Sequence, residues 1–201
     1  MKIEYIVLDE ALTFDRVSEY TQLLPPERQE KIARYRFDKD KLLSLAAGLL
    51  IRRAIGEKPI TLGEHGKPYA DGCFFSVSHS GRIAAIAVDD TELGMDVEQL
   101  PDESRLKIAG RFYHPAERQY VKQAEDPCRA FCEIWTRKEA VLKMTGEGIS
   151  TDLTAFDTTS ESLKAQLFTT AIEDYCLSVC FAEPIGDKAI QISELELKRL
   201  L

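Results

Sequence analysis

The chain has 201 residues, of which 44% are hydrophobic and 30% are charged, a balance typical of soluble folded proteins rather than of disordered ones. Its formal net charge of −8 argues against general binding to nucleic acid. The first residues, MKIEYIVLDEAL, interrupt their apolar positions with acidic ones, and no apolar run approaches the roughly 20 residues that cross a bilayer, so we expect a cytoplasmic protein without a membrane partner.

The cysteines are five in number and include two pairs with three residues between the partners, at positions 128 and 132 and at positions 176 and 180. A structural zinc knuckle usually has closer spacing, and a reducing compartment disfavours disulfides. We therefore expect buried free thiols.

Charge is unevenly distributed along the chain. Basic residues outnumber acidic ones between Pro26 and Lys58, whereas every charged residue between Asp89 and Glu103 is acidic. A basic region can hold an anion and an acidic region a cation, although two solvated surfaces explain the same pattern. Charge alone leaves both interpretations open.

The first half of the chain shows strand and helix signals in a clear order. Residues 2–10 alternate like a strand, residues 25–36 open with two prolines as helices do, and residues 41–56 predict an apolar helix that ends at Gly56. Residues 64–90 then predict an antiparallel hairpin, with a turn at Gly-Lys-Pro-Tyr, a strand, a polar turn at Ser-His-Ser-Gly and a second strand.

The second half repeats this order of elements. A strand is predicted at residues 93–100, helices at 114–125 and 129–146, and strands near 153–159, 162–170 and 174–183. Matching residue types at equivalent positions are weak evidence of duplication by themselves, and the matching element order is stronger support. We predict an α+β fold of two similar halves, residues 1–93 and 94–201, related by pseudo-twofold symmetry and separated by a cleft suited to a ligand.

Two acidic residues stand close together in the segment Gly-Met-Asp-Val-Glu. On a strand, Asp96 and Glu98 project from one face, while Met95 and Val97 project from the other face into the core. Neighbouring carboxylates repel each other unless a positive charge lies between them, and Mg²⁺ prefers such hard oxygen ligands. A solvent-exposed strand edge is the alternative, because so short a pattern is common.

The helical segment WTRKEAVLK places Trp135, Glu139 and Lys143 on one stripe of the helix surface. An ordinary Glu–Lys pair beside a buried tryptophan, worth about 0.3–0.5 kcal/mol, is enough to explain this stripe. In the functional interpretation Glu139 is a third metal ligand or a general base, and Lys143 neutralises phosphate charge.

The Ser-His-Ser-Gly segment at residues 78–81 offers hydroxyl and backbone N–H groups to an anion, with His79 as a further donor. A histidine that only stabilises the turn is the alternative interpretation. The sequence has neither the G-x-S-x-G elbow of serine hydrolases nor the Walker phosphate-binding loop, which excludes two common classes of site.

Four motifs follow each other in one order: GKP, SHSG, GMDVE and WTRKEAVLKMTGEGI. As a set they resemble the 4′-phosphopantetheinyl transferase superfamily, in particular its longer surfactin-type (Sfp-type) members. The resemblance covers nearly the whole chain, with Met95 and Val97 where family members often have isoleucine. It implies an enzyme that transfers the phosphopantetheine arm of coenzyme A to a serine of an apo acyl or peptidyl carrier protein and releases adenosine 3′,5′-bisphosphate.

The resemblance also implies the residues of the site. Asp96, Glu98 and Glu139 would hold Mg²⁺ against the coenzyme A pyrophosphate, and Lys143 would stabilise its charge. Either Glu139 or Glu117 would help to deprotonate the incoming serine. The implied coenzyme A contacts are Arg28, Lys31, Ser44, Lys67, Ser78 and His79. Since one chain would form both sides of the cleft, we expect a monomer.

Two other classes of function compete with this interpretation. A non-catalytic module that binds coenzyme A or a carrier protein would keep the basic, serine and histidine positions but would have no use for three converging carboxylates. A different Mg²⁺-dependent phosphotransferase or nuclease would keep the carboxylates but would ignore coenzyme A. The presence of the three carboxylates therefore disfavours the first alternative, and a panel of nucleotides in place of coenzyme A would identify the second.

Overall fold

The computed structural model describes residues 1–56, 58–63, 67–148 and 151–200. Gly66 and Ile149, which belong to two of the motifs, lie outside the described residues. The strands are β1 (Lys2–Val7), β2 (Ile60–Leu62), β3 (Pro68–Ala70), β4 (Phe74–Ser80), β5 (Ile83–Asp89), β6 (Leu93–Gln99), β7 (Leu167–Ile172), β8 (Tyr175–Phe181) and β9 (Gln191–Glu194). The helices are α1 (Pro26–Arg34), α2 (Asp38–Ile55), α3 (Ala109–Phe112), α4 (Pro115–Gln123), α5 (Pro127–Thr145) and α6 (Glu161–Lys164).

The strands form two larger sheets and one small hairpin. The first sheet has the order β4-β5-β1-β9, and all its pairs are antiparallel except the parallel pair β1–β9. The second sheet has the antiparallel order β6-β8-β7, and β2 pairs with β3 in the hairpin. Because β9 comes from the end of the chain, a strand of the second half completes the sheet of the first half.

The two sheets pack face to face and each carries one long helix on its outer face. Leu45, Leu49 and Leu50 of α2 lie in one apolar cluster with residues of the first sheet. A second cluster joins the opposite face of that sheet to the second sheet, through side chains such as Ala85 and Met95. Helix α5 covers the outer face of the second sheet. The predicted mixed α+β class is confirmed, and the division at residue 93 stays a prediction.

Helix α5 is delimited by local chemistry at both ends. The Asp126 side chain accepts a hydrogen bond from the backbone N–H of Arg129 at 3.0 Å, and Pro127 occupies the first helical turn, where its missing N–H costs nothing. Gly146, with φ 76°, ends the helix in the left-handed region that favours glycine. The predicted end of this helix at Gly146 is therefore correct.

Three details of the predicted hairpin and tail are wrong. The strand predicted near 153–159 is a 3₁₀ helix, Leu153–Ala155, because Asp152 caps its N-terminus and the buried Lys138 ammonium binds the carbonyl groups of Leu153 and Phe156. Residues 162–170 contain the end of α6 before β7 begins. Ser78 and His79 lie in β4 rather than in a turn, since the chain reverses only at Gly81, where φ is 56°.

The cysteine prediction holds in part. All five cysteines are free. Cys132, Cys176 and Cys180 are buried, whereas Cys73 and Cys128 are partly exposed. None of the described helices combines the length and the apolar character that a bilayer crossing requires.

Candidate functional site

The candidate site lies where β4, an edge strand of the first sheet, meets β6, an edge strand of the second sheet. Helix α5 packs directly on β6, and Gly94 makes this close approach possible. A Cβ atom at Gly94 would overlap backbone atoms of α5 between Ala140 and Met144. The missing side chain therefore brings the helix that carries Glu139 into backbone contact with the strand that carries Asp96.

Asp96 forms the centre of the site and is only 3% exposed. Its Oδ1 accepts hydrogen bonds from the Ser78 hydroxyl at 2.7 Å and from the Lys143 ammonium at 2.7 Å, and Lys143 also donates to the Ser78 hydroxyl at 2.9 Å. The other oxygen, Oδ2, is buried and has no hydrogen-bond partner among the described residues. Because buried polar atoms are normally bonded, this oxygen is a candidate ligand atom.

Glu98 and Glu139 lie within electrostatic range of Asp96. Burial raises the pKa of Glu98, and the negative charges of Asp96 and Glu139 raise it further, against a hydrogen bond from Ser80 and the charge of Lys143. Burial, followed by the charge of Asp96, also raises the pKa of Glu139. Mutual repulsion of this kind identifies a cluster of like charges that a cation stabilises.

A complete set of metal ligands is not preformed in the described part of the chain, where no three acidic, histidine or cysteine side chains are close enough to hold one ion. One oxygen of Asp96 is bonded to Lys143 and Ser78 instead. The donors nevertheless suit a hard divalent cation, because they are carboxylate oxygens and one of them is buried without a partner.

A cavity of about 390 Å³ opens beside Glu139 and Lys143. Its lining includes apolar side chains and Lys67. The Lys67 ammonium donates to the carbonyl oxygen of Met144 at 2.5 Å and pairs with Glu92 at 2.8 Å. This position puts a positive charge at the C-terminal end of α5, where the helix dipole favours it.

Two of the basic residues predicted on the first half, Arg28 and Lys31, lie on α1. Arg28 and Lys31 line a larger cavity of about 810 Å³ between α1 and α2. Burial lowers the pKa of His79, and the positive charges of Lys31, Lys143 and Arg28 lower it further. These three cations therefore lie within electrostatic range of His79.

Ser44 and Glu117, two further predicted site residues, are buried and line neither of these two cavities. Ser44 is 1% exposed within α2. Glu117 is fully buried, and its Oε2 pairs at 2.8 Å with the fully buried Lys138. The other oxygen of Glu117 accepts from the backbone N–H and the hydroxyl of Thr158. With both oxygens bonded, Glu117 links α4, α5 and the following loop, which is a structural role.

The sequence interpretation gave no individual role to Gly94, Ser76 and Ser80, although Gly94 and Ser80 lie within two of the motifs. The serines had a visible signal, since they alternate with Ser78 along one strand and therefore share its face. Ser80 donates to the Glu98 carboxylate at 2.5 Å, and Ser76 accepts from the backbone N–H of Met95 at 2.9 Å. Nothing in the sequence indicates that α5 packs so closely on β6 that residue 94 must be glycine.

Comparison with known proteins identifies the relatives of the chain. Residues 92–193 match the family model described as the 4′-phosphopantetheinyl transferase superfamily. A 4′-phosphopantetheinyl transferase from Bacillus subtilis is 30% identical over 225 aligned positions, which cover 98% of this chain and 99% of the relative. The 4′-phosphopantetheinyl transferase Sfp of Bacillus subtilis strain 168 is 29% identical and aligns with 78% of this chain and 75% of its own length.

Among solved structures, the chain is similar in part to holo-[acyl-carrier-protein] synthase (AcpS) of Thermotoga maritima, with a TM-score of 0.36 and 14% identity over 44% of this chain and 61% of that one. These values are too low to equate individual positions. The two sequence relatives align with 98% and 78% of this chain at 29–30% identity. The chain therefore belongs to the 4′-phosphopantetheinyl transferase superfamily, in its surfactin-type (Sfp-type) branch.

Proposed function

We propose that this transferase moves the 4′-phosphopantetheine arm of coenzyme A to a serine hydroxyl of an apo acyl or peptidyl carrier protein, with Mg²⁺ as cofactor and adenosine 3′,5′-bisphosphate as the second product. The observation that carries the proposal is the cluster of Asp96, Glu98, Glu139 and Lys143, where the edge strands β4 and β6 meet next to α5. It combines fixed acidic groups with a cation beside an open cavity, which is what phosphoryl transfer needs.

The proposed ligands of Mg²⁺ are Asp96, Glu98 and Glu139. The free buried oxygen of Asp96 and the raised pKa values of both glutamates support this set, since each is relieved by a nearby positive charge. When bound, Mg²⁺ neutralises the charge of the pyrophosphate and makes its phosphorus easier to attack. The protein contributes the fixed positions of the carboxylates, because α5 and β6, which carry them, are in backbone contact at Gly94.

The basic residues of the first half would bind the phosphate groups of coenzyme A. Arg28 and Lys31 line the larger cavity and lie within electrostatic range of His79, and Lys67 lines the smaller cavity. Charge-assisted hydrogen bonds from such groups suit a ligand that carries several phosphates. The roles of Ser44 and Ser78 differ from this set, because Ser44 is buried and Ser78 is already bonded to Asp96.

Glu139 is our proposed proton acceptor. It borders the open cavity, whereas Glu117 is fully buried and bonded on both oxygens. In the proposed step the serine oxygen of the carrier forms a bond to the β-phosphorus of coenzyme A, and the bond from that phosphorus to the bridging oxygen breaks. The serine proton passes to the Glu139 carboxylate, and Lys143 balances charge on the departing phosphate.

The smaller cavity would receive the pantetheine arm next to the reacting phosphate. Its apolar wall includes Phe75, Val77 and Leu142, while Lys143 and Glu139 form its polar side. An arm made of amide groups and short apolar segments matches such a mixed lining.

For the cellular setting we propose a monomer in the cytoplasm, in agreement with five free thiols, which persist in a reducing compartment.

The proposed function is tested by mixing the purified chain with Mg²⁺, coenzyme A and a panel of apo carrier proteins from fatty-acid, polyketide and peptide synthesis. Intact-protein mass spectrometry should show that at least one carrier gains the mass of one phosphopantetheine arm, and that a carrier with its acceptor serine changed to alanine does not. A panel that stays unmodified while the chain turns over a nucleotide substrate would favour a different phosphotransferase instead.

A further inference from the structure

Three serines alternate along β4, and all three hydroxyl groups bond to β6. We call this set of Ser76, Ser78 and Ser80 the serine ladder. The partners advance along β6 in the same order as the serines advance along β4. The ladder bonds are Ser76 Oγ with the backbone N–H of Met95 at 2.9 Å, Ser78 Oγ with Asp96 Oδ1 at 2.7 Å, and Ser80 Oγ with Glu98 Oε2 at 2.5 Å.

The serine ladder joins two strands that belong to different sheets. An edge strand presents backbone N–H groups that need partners when they are buried. Ser76 accepts from the N–H of Met95, and Ser80 accepts from the N–H of Gln99 at 3.3 Å while it donates to Glu98. The hydroxyls of Ser76 and Ser80 thus replace backbone pairing at this contact, and the hydroxyls of Ser78 and Ser80 bond to the carboxylates.

Ser76 bonds only to the backbone of Met95, whereas Ser80 bonds to a carboxylate of the site and has no assigned role in the proposed chemistry. Its hydroxyl binds one oxygen of Glu98, a half-buried carboxylate that Asp96 and Glu139 repel. Without this bond, repulsion and the freedom of the glutamate side chain would both favour rotation of the carboxylate away from its neighbours. The backbone bond from Gln99 to the same hydroxyl holds the serine itself in place.

We infer that Ser80 is a positioning residue that orients the Glu98 carboxylate toward Asp96 and thereby sets the affinity of the site for a divalent cation. The inference rests on the proposed function, because it assumes that these carboxylates bind Mg²⁺. Partners that orient metal ligands typically change metal affinity by about 10–100-fold when they are removed. Ser80 reaches this site from the first half of the chain, so the metal site depends on both sheets.

The test measures Mn²⁺ binding to the full chain by electron paramagnetic resonance in the presence of coenzyme A, together with the Mg²⁺ concentration that half-saturates turnover. Ser80→Ala should lower the Mn²⁺ affinity and raise the half-saturating Mg²⁺ concentration, each by about 10-fold. The KM for coenzyme A at saturating Mg²⁺ should stay close to that of the wild type. Ser80→Thr keeps the hydroxyl and should recover most of the Mn²⁺ affinity. Ser193→Ala, at an exposed strand serine, is the matched control.

The outcomes separate this inference from the proposed function. A wild-type chain that binds no Mn²⁺ and turns over without Mg²⁺ overturns the metal site, and the role of Ser80 with it. Normal wild-type binding with an unchanged Ser80→Ala affinity overturns the role of Ser80 alone. Should Ser80→Ala not fold, Ser80→Cys, which keeps the size but donates a weaker hydrogen bond, should show the same loss of affinity, and normal affinity in Ser80→Cys would contradict the inference.

Discussion

The carboxylate cluster and the basic surface of α1 are built in opposite ways. Asp96 is 3% exposed and bonded to Ser78 and Lys143, whereas Lys31 is exposed on a helix that has no side-chain cap. The first region holds its groups in fixed positions, and the second presents long side chains that adapt to a ligand. We propose that the first region determines rate and the second determines affinity, as expected when chemistry needs preorganisation and anion binding mainly needs charge.

The largest expected effect concerns the ion pair that supports the rigid region. Lys138→Met leaves Glu117 charged and fully buried without its partner, so it should lower the free energy of unfolding by about 3–5 kcal/mol. Urea denaturation at neutral pH measures this loss. Adding Glu117→Gln removes the unpaired charge and should recover part of the stability, and Lys122→Met on the exposed side of α4 is the control. Wild-type stability of Lys138→Met alone would show that the Glu117–Lys138 pair does not support the region.

The next effect tests whether the rigid region determines rate. Glu139→Gln keeps the size of the side chain but removes its charge, so kcat should fall by roughly 10²–10³-fold while KM for coenzyme A changes little. Steady-state kinetics with the apo form of a carrier protein that the wild type modifies measure both constants. Glu133→Gln on the same helix, whose partners are Tyr120 and Arg137, is the control. A large rise in KM at unchanged kcat would reverse the roles that we assign to the two regions.

A smaller effect tests the basic surface. Arg28→Ala removes one charge-assisted contact with phosphate, worth about 1.5–3 kcal/mol, so KM for coenzyme A should rise by about 10-fold or more and kcat should stay nearly constant. Arg34→Ala removes an exposed arginine of the same helix, whose ion pair with Glu30 joins two solvent-exposed side chains, and should change neither constant. If both variants behave alike, α1 does not bind the ligand.

The smallest effect is a pH dependence at the border between the regions. The pKa of His79 is lowered from 6.5 by burial and by nearby cations, so the folded chain binds this proton less tightly than the unfolded chain does. Stability from this group is present above pH 6.5 and is lost as the pH falls through the lower folded pKa. Relative to His79→Gln, the wild-type Tm should therefore drop on acidification. An equal Tm difference between the two proteins at every pH would contradict the predicted shift.

Much of the fold was predictable because its signals are local. The end of α2 at Gly56 and the end of α5 at Gly146 follow from glycines that adopt positive φ, and the alternation of Met95 and Val97 with Asp96 correctly predicts which side chains face the core. The segment 153–159 was not predictable in this way, because a distant buried cation, Lys138, binds the carbonyl groups that a strand would have used.

The candidate site was predictable in its chemistry but not in its connections. The sequence indicates which carboxylates and cations are present, and two sequence motifs are enough to find Asp96 and Glu139. It does not show that Glu117 is buried against Lys138, nor that Ser80 bonds to Glu98. Those contacts join residues that are far apart in the chain, and no local rule links them.

The sequence by itself determined the elements, the family and the residue types of the site, because periodicity, capping and motif spacing act over short distances along the chain. The tertiary structure decided which of these residues meet. The contact between α5 and β6 depends on the missing side chain of Gly94, and the contact between β4 and β6 depends on the serine ladder. Both are packing contacts between separate elements, and their geometry exists only after the two sheets have come together.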